Sequence, residues 1–114
     1  MQSRFNVKFL DNVSEELGLI PEKAREKILY NVLKSTKVID SELLKKLTTH
    51  IWEFRTLYSN TYYRLLAFWD SPNSIIIICT LFIKTTPKTP QHEIQKAENL
   101  RNQYFEEKNE TGNP

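Results

Sequence analysis

Hydrophobic and polar positions first alternate near the N-terminus. In RFNVKFL, Arg4–Leu10, the residues Phe5, Val7 and Phe9 alternate with Asn6 and Lys8, the two-residue period of a half-buried strand. DNVSEELGLIP follows and reads as a short helix stopped at Gly18. From Pro21 to about Thr36 the period becomes helical. Ala24, Ile28, Leu29, Val32 and Leu33 share one face, while Lys23, Lys27 and Lys34 fall on a solvated side. Pro21 suits the first turn, where its missing N–H would go unpaired anyway. DSELLKKL, Asp40–Leu47, predicts another short helix capped by Asp40. Three strand patterns come next: Ile51–Tyr58, Thr61–Trp69 and Ile75–Lys84. Their short connections, SN and DSPNS, favour antiparallel neighbours. The apolar run Ile75–Ile83 predicts a strand covered on both faces. Thr89 and Pro90 open the last helix, as N-cap and first helical residue. Ile94, Ala97, Leu100, Arg101 and Tyr104 share its buried face, and residues 106–114 form a frayed polar tail.

This order predicts a single α+β domain over residues 1–105. Its antiparallel sheet consists of the N-terminal strand plus a three-strand meander. Two N-terminal helices and a C-terminal helix pack against one face. A chain of 114 residues with 39% hydrophobic content suffices for one modest core. The lone Cys79 excludes an intramolecular disulfide and a cysteine-based metal site, and it fits a reducing cytoplasm. Inside the apolar run it reads as a small buried residue rather than a nucleophile. That run is too short to cross a membrane as a helix, and the N-terminal pattern is not that of a secretory signal. Net charge is +2, rising to +4 when the acidic residues 106–114 are set aside. This balance is compatible with nucleic-acid binding without demanding it.

The cations are better placed than they are numerous. Strand alternation puts Glu53 and Arg55 on one face and Trp52, Phe54 and Tyr58 on the other, core-facing side. Tyr62, Arg64, Leu66 and Phe68 similarly share a face of the next strand. Arg55 and Arg64 fall near one end of paired strands. Lys84 ends the third strand, and Lys88 precedes a helix N-terminus. Such a cluster suits a phosphate group, with arginine as a bidentate fork, lysine as a point charge and the helix dipole in support. The plainer alternative is that Glu53 pairs with Arg55 or Arg64 on an exposed sheet face. No glycine-rich phosphate loop, Ser/His/Asp set or metal-ligand spacing is present. The expectation is therefore no metal and no small-molecule cofactor.

The same residues carry a family pattern. Trp52-Glu53-Phe54-Arg55, Tyr63-Arg64, the run Phe82–Pro90 (FIKTTPKTP), and Glu93-Ile94 with Ala97, Arg101 and Tyr104 resemble the phage-derived, HigB-like branch of the RelE/ParE toxin superfamily. The resemblance spans roughly residues 5–105. It departs at Thr85, where the branch has a second lysine, at the hairpin Ser59–Thr61, where glycines are usual, and at Thr80, where a histidine is common. Asn60 is the hairpin residue expected to take a positive φ. The resemblance implies a RelE-like fold and a ribosome-dependent endoribonuclease that cuts messenger RNA without a metal. Arg55, Arg64 and Lys84 would be catalytic. Lys88, Thr89 and Tyr104 would bind RNA or its phosphates, and His92 or Glu53 would transfer protons. The implied partners are the ribosome with its mRNA and a helix-turn-helix antitoxin, all cytoplasmic. The alternatives are a non-enzymatic ParE-like inhibitor of DNA gyrase and an inactive phage-derived relative.

Overall fold

The computed structural model describes residues 3–72 and 74–112. The elements run β1 (Asn6–Phe9), α1 (Asp11–Leu17), α2 (Glu22–Ser35), β2 (Leu44–Lys46), β3 (Trp52–Tyr58), β4 (Thr61–Ser71), β5 (Ile75–Lys84) and α3 (Gln91–Gly112). The strands form one sheet in the order β1-β5-β4-β3-β2. Pairs β3–β4 and β4–β5 are antiparallel, as the short connections predict, and β2, which was not expected as a strand, pairs antiparallel with β3. β1 instead runs parallel to β5, so the sheet is mixed and not antiparallel throughout. Parallel pairing needs a long crossover, and everything from α1 to β4 supplies it.

Both faces of this sheet are covered. On one, α1 and α2 bury Val13, Leu17, Ala24, Ile28 and Val32 against Phe54, Leu65, Ile76 and Ile78. On the other, Ala97, Ile94, Leu100 and Tyr104 of α3 pack on Leu66, Phe68, Ile77 and Cys79. The expectation that all helices share one face is thus corrected. The double cover explains why β5 lacks polar alternation. Successive isoleucines 76, 77 and 78 serve opposite cores and are all fully buried, each worth about 1.5–3 kcal/mol. A register shift between Leu66 and Ala67 leaves Cys79 between the paired residues Ile78 and Thr80. The Cys79 thiol faces the Leu66 carbonyl at 3.4 Å, and burial pushes its pKa up to about 12, so it is an inert core group.

Three further readings change. Asp40–Leu47 is not a helix. The Asp40 carboxylate accepts from the Glu42 N–H at 2.9 Å, the backbone makes one turn, and Leu44–Lys46 then pairs with β3. Leu29 and Leu33 are exposed, because the buried stripe of α2 runs through Ala24, Ile28, Val32 and Ser35. Residues 106–112, read as a polar tail, continue α3. The β3–β4 turn behaves as expected at Asn60 (φ 63°), and Ser59 (φ 50°) shares its left-handed conformation. Two such residues are what a two-residue hairpin of type I′ requires. Among the described residues, no helix is long and apolar enough to cross a membrane.

Candidate anion and RNA site

Strand register assembles the site. Arg55 and Arg64 are direct cross-strand partners, and Tyr62 is the direct partner of Lys84. Directly opposed residues project from the same face. Alternation adds Glu53, so all five side chains project from the face that α3 covers farther along. At the β3–β4 hairpin end that face lies open. There Arg55, Tyr62, Arg64 and Lys84 line a cavity of about 680 Å³ with Thr85, Thr86 and Pro87. An adjoining cavity of about 320 Å³ shares Arg55, Tyr62 and Arg64 and reaches Asn31, Glu42 and Leu43.

Two arginines directly opposed should repel. Glu53, only 1% exposed, compensates. Its Oε1 lies 3.3 Å from Arg55 Nε and 3.5 Å from Arg64 Nε, and its Oε2 accepts a short hydrogen bond from the Thr89 hydroxyl. The two Nε contacts are charge pairings without hydrogen-bond geometry. Arg64 Nη1 donates to the Tyr63 carbonyl at 3.1 Å, and its guanidinium sits 5.6 Å from the Tyr62 ring centroid. Burial lowers the Arg64 pKa, Glu53 opposes this, and Arg55 adds to it. An arginine so placed remains a cation. Burial also lowers the Lys84 pKa against the opposition of Glu53, with Arg64, Arg55 and Lys45 adding to the fall. One carboxylate thus faces three cavity cations, and the excess is positive.

The remaining predicted residues divide. Glu53 reaches the cluster, but as a buried counter-ion with both oxygens engaged, not as a solvent-facing base. Thr89, expected as the N-cap of α3, gives its hydroxyl to Glu53, and the first helical carbonyl acceptor is Pro90. Lys88 is exposed and does not line the cavity; its carbonyl accepts from the Thr86 hydroxyl at 2.6 Å. His92 is 81% exposed and pairs with Glu93 at 3.8 Å, outside the cavity lining. Tyr104 lies elsewhere. It packs on Phe68 and Phe105 and donates to Asp70 at 2.8 Å, near the opposite end of β4. Two residues were missed. Tyr62 was legible, since alternation already put it on the face of Arg64. Lys45 was not, because a helix was expected there; in β2 it stands opposite Glu53 in strand register, exposed, and its charge adds to the lowering of the Lys84 pKa. Among the described residues, no three His, Cys, Asp or Glu side chains gather to hold a metal ion.

A mixed five-stranded sheet with helices on both faces is a RelE-like α+β fold. This fold is similar to that of the free E. coli toxin RelE carrying two arginine-to-alanine substitutions. The TM-score is 0.54 at 16% identity, over 88% of this chain and 98% of that one. The chain belongs to the family described as phage derived protein Gp49-like (DUF891), which matches residues 15–102. Comparison with curated proteins gives no match.

Proposed function

We propose that this protein is the toxin of a type II toxin–antitoxin pair, of the HigB-like branch, and a ribosome-dependent mRNA endoribonuclease. The observation that carries this reading is the convergence of Arg55, Arg64 and Lys84 in one open cavity of about 680 Å³. That volume lies within the roughly 300–1,000 Å³ of small-ligand sites, which is ample for a nucleotide. The ribose 2′-OH attacks the adjacent phosphorus and gives up its proton to water, a 2′,3′-cyclic phosphate forms as the P–O5′ bond breaks, and the 5′ oxygen leaves. Arg55 and Arg64 hold the non-bridging oxygens and stabilise the charge that builds on them. Lys84, whose proton is loosened by burial and by its cationic neighbours, donates to the departing oxygen. Glu53 fixes the arginine pair and takes no proton. The partners are the ribosome, its mRNA and a helix-turn-helix antitoxin, in the cytoplasm.

The test is to induce the protein alone and map 5′ ends of cellular messages with and without translation. Cuts in phase with codons, dependent on translation and insensitive to chelator, are expected. Arg64→Ala and Lys84→Ala should each relieve growth arrest while remaining folded. Removing one preorganised donor costs about 2.7–4 kcal/mol, on the order of a hundred- to a thousandfold in rate. Arrest with intact messages and trapped DNA breaks would transfer the reading to gyrase. No arrest at all would mark an inactive relative, with Thr85 in the cavity wall as the first residue to restore to lysine.

A further inference from the structure

The cavity is larger than a phosphate needs, and its cations account for only part of the wall. The rest includes Tyr62, a large aromatic side chain left 48% exposed. Strand register places Tyr62 opposite Lys84 and on the face of Arg64. The Arg64 guanidinium lies near the ring, 5.6 Å from its centroid, and so helps to hold it in the cavity wall. Tyr62 also lines the adjoining cavity, so its ring stands where the two spaces meet. An exposed ring beside phosphate-binding cations is the arrangement by which single-stranded nucleic acid is held: cations take the backbone and the ring takes a base face.

We infer that Tyr62 is a nucleobase platform, on which a base next to the phosphate bound by Arg55, Arg64 and Lys84 stacks. The inference rests on the nucleic-acid reading of the cavity but not on cleavage. Stacking is indifferent to base identity, because every base has a π-face. The site therefore distinguishes a base from no base, and Tyr62 sets affinity more than sequence preference. The ring is what matters and the hydroxyl is dispensable.

The experiment uses the full chain at low ionic strength with two probes. One is a short 2′-O-methyl oligoribonucleotide, which cannot be cut. The other is the same backbone made abasic. Wild type should bind the base-bearing probe roughly tenfold or more tightly than the abasic one. Tyr62→Phe should keep that ratio, and Tyr62→Ala should bring it close to one without weakening abasic binding. Arg64→Ala should weaken both probes together. A ratio near one in wild type, or one preserved in folded Tyr62→Ala, overturns the inference and leaves the anion site standing. Wild type that binds neither probe overturns both. A ratio lost in Tyr62→Ala, combined with intact messages in cells, supports the platform while sinking ribosome-dependent cleavage.

Discussion

Glu53 is the residue on which the local electrostatics turn. It is the shared counter-ion of two arginines that strand register forces together, and it also holds Thr89 ahead of α3. Glu53→Gln keeps the volume and removes the charge. Losing one partner of a buried pair typically costs 3–5 kcal/mol, and partly solvated Arg55 points to about 3 kcal/mol here. For a chain of this size the midpoint of thermal unfolding should fall by roughly 10 °C. Inorganic phosphate should recover more stability in Glu53→Gln than in wild type, because the anion replaces the missing charge. An unchanged midpoint, or equal phosphate effects, would reduce Glu53 to a passive core residue. Lys84 behaves in the opposite way. Its folded pKa lies below the 10.5 of a free lysine, so the unfolded chain holds the proton more tightly. Its charge therefore opposes folding at neutral pH, and the opposition fades as pH rises from the folded value towards 10.5. Lys84→Met should lose cleavage yet melt no lower than wild type at neutral pH, and it should lack the rise in stability on the alkaline side. A melting point well below wild type would mean that Lys84 stabilises the fold rather than burdening it.

Among the elements, α3 departs furthest from its expected length, and one carboxylate shows what holds the extension. Asp70, at the far end of β4, accepts from Tyr104 at 2.8 Å and pairs closely with Lys108. The Lys108 hydrogen bond is the chief cause of a lowered Asp70 pKa. Stability from this contact is complete above the unfolded value of 3.8 and is lost as pH falls through the lower folded value. Amide protection in the last turns of α3, taken relative to the intrinsic exchange rate at each pH, should therefore fall on acidification below about pH 4. In Asp70→Asn those turns should be weakly protected already at neutral pH, with little further change in acid. Uniform protection along α3 in both proteins would refute the anchor. Sequence could not show this anchor, because Asp70 and Lys108 are distant in the chain. β2 escaped for another reason. In DSELLKKL the helix pattern is real and survives as the single turn after Asp40, but pairing with β3 overrides it for Leu44–Lys46. The β3, β4 and β5 patterns were legible because alternation and turn chemistry are local, and Asn60 takes the positive φ its residue type suggests, whereas the same conformation at Ser59 was not legible.

For the whole molecule, the α+β class was legible while the disposition of layers was not. Neither the parallel β1–β5 pair nor the separation of helices onto two faces leaves a local mark. Both decide where the site stands. The two antiparallel pairings that bring Arg55, Arg64 and Lys84 together follow from short connections, which is why that part of the site could be foreseen. Tyr104 was misplaced because its helix face was known but its position along the sheet was not. The two-sided architecture also makes the two cores unequal. The cavity opens on the α3 face, and Thr89 ties the start of α3 to Glu53. The α1–α2 core lies behind the sheet. Leu17→Ala in the buried core behind the sheet should cost about 2 kcal/mol or more, by the range for leucine-to-alanine changes in cores, and Leu100→Ala at the half-buried α3 side should cost less. Loss behind the sheet should lower only the folded fraction. Loss under α3 should also loosen Thr89 from Glu53 and release the arginine pair. Cleavage in a translating extract, measured per folded molecule at a temperature where both variants are folded, should then fall at least several-fold for Leu100→Ala. For Leu17→Ala it should stay near wild type. Equal rates per folded molecule would make α3 a lid over a core and no more, with the arginines held by β3 and β4 alone.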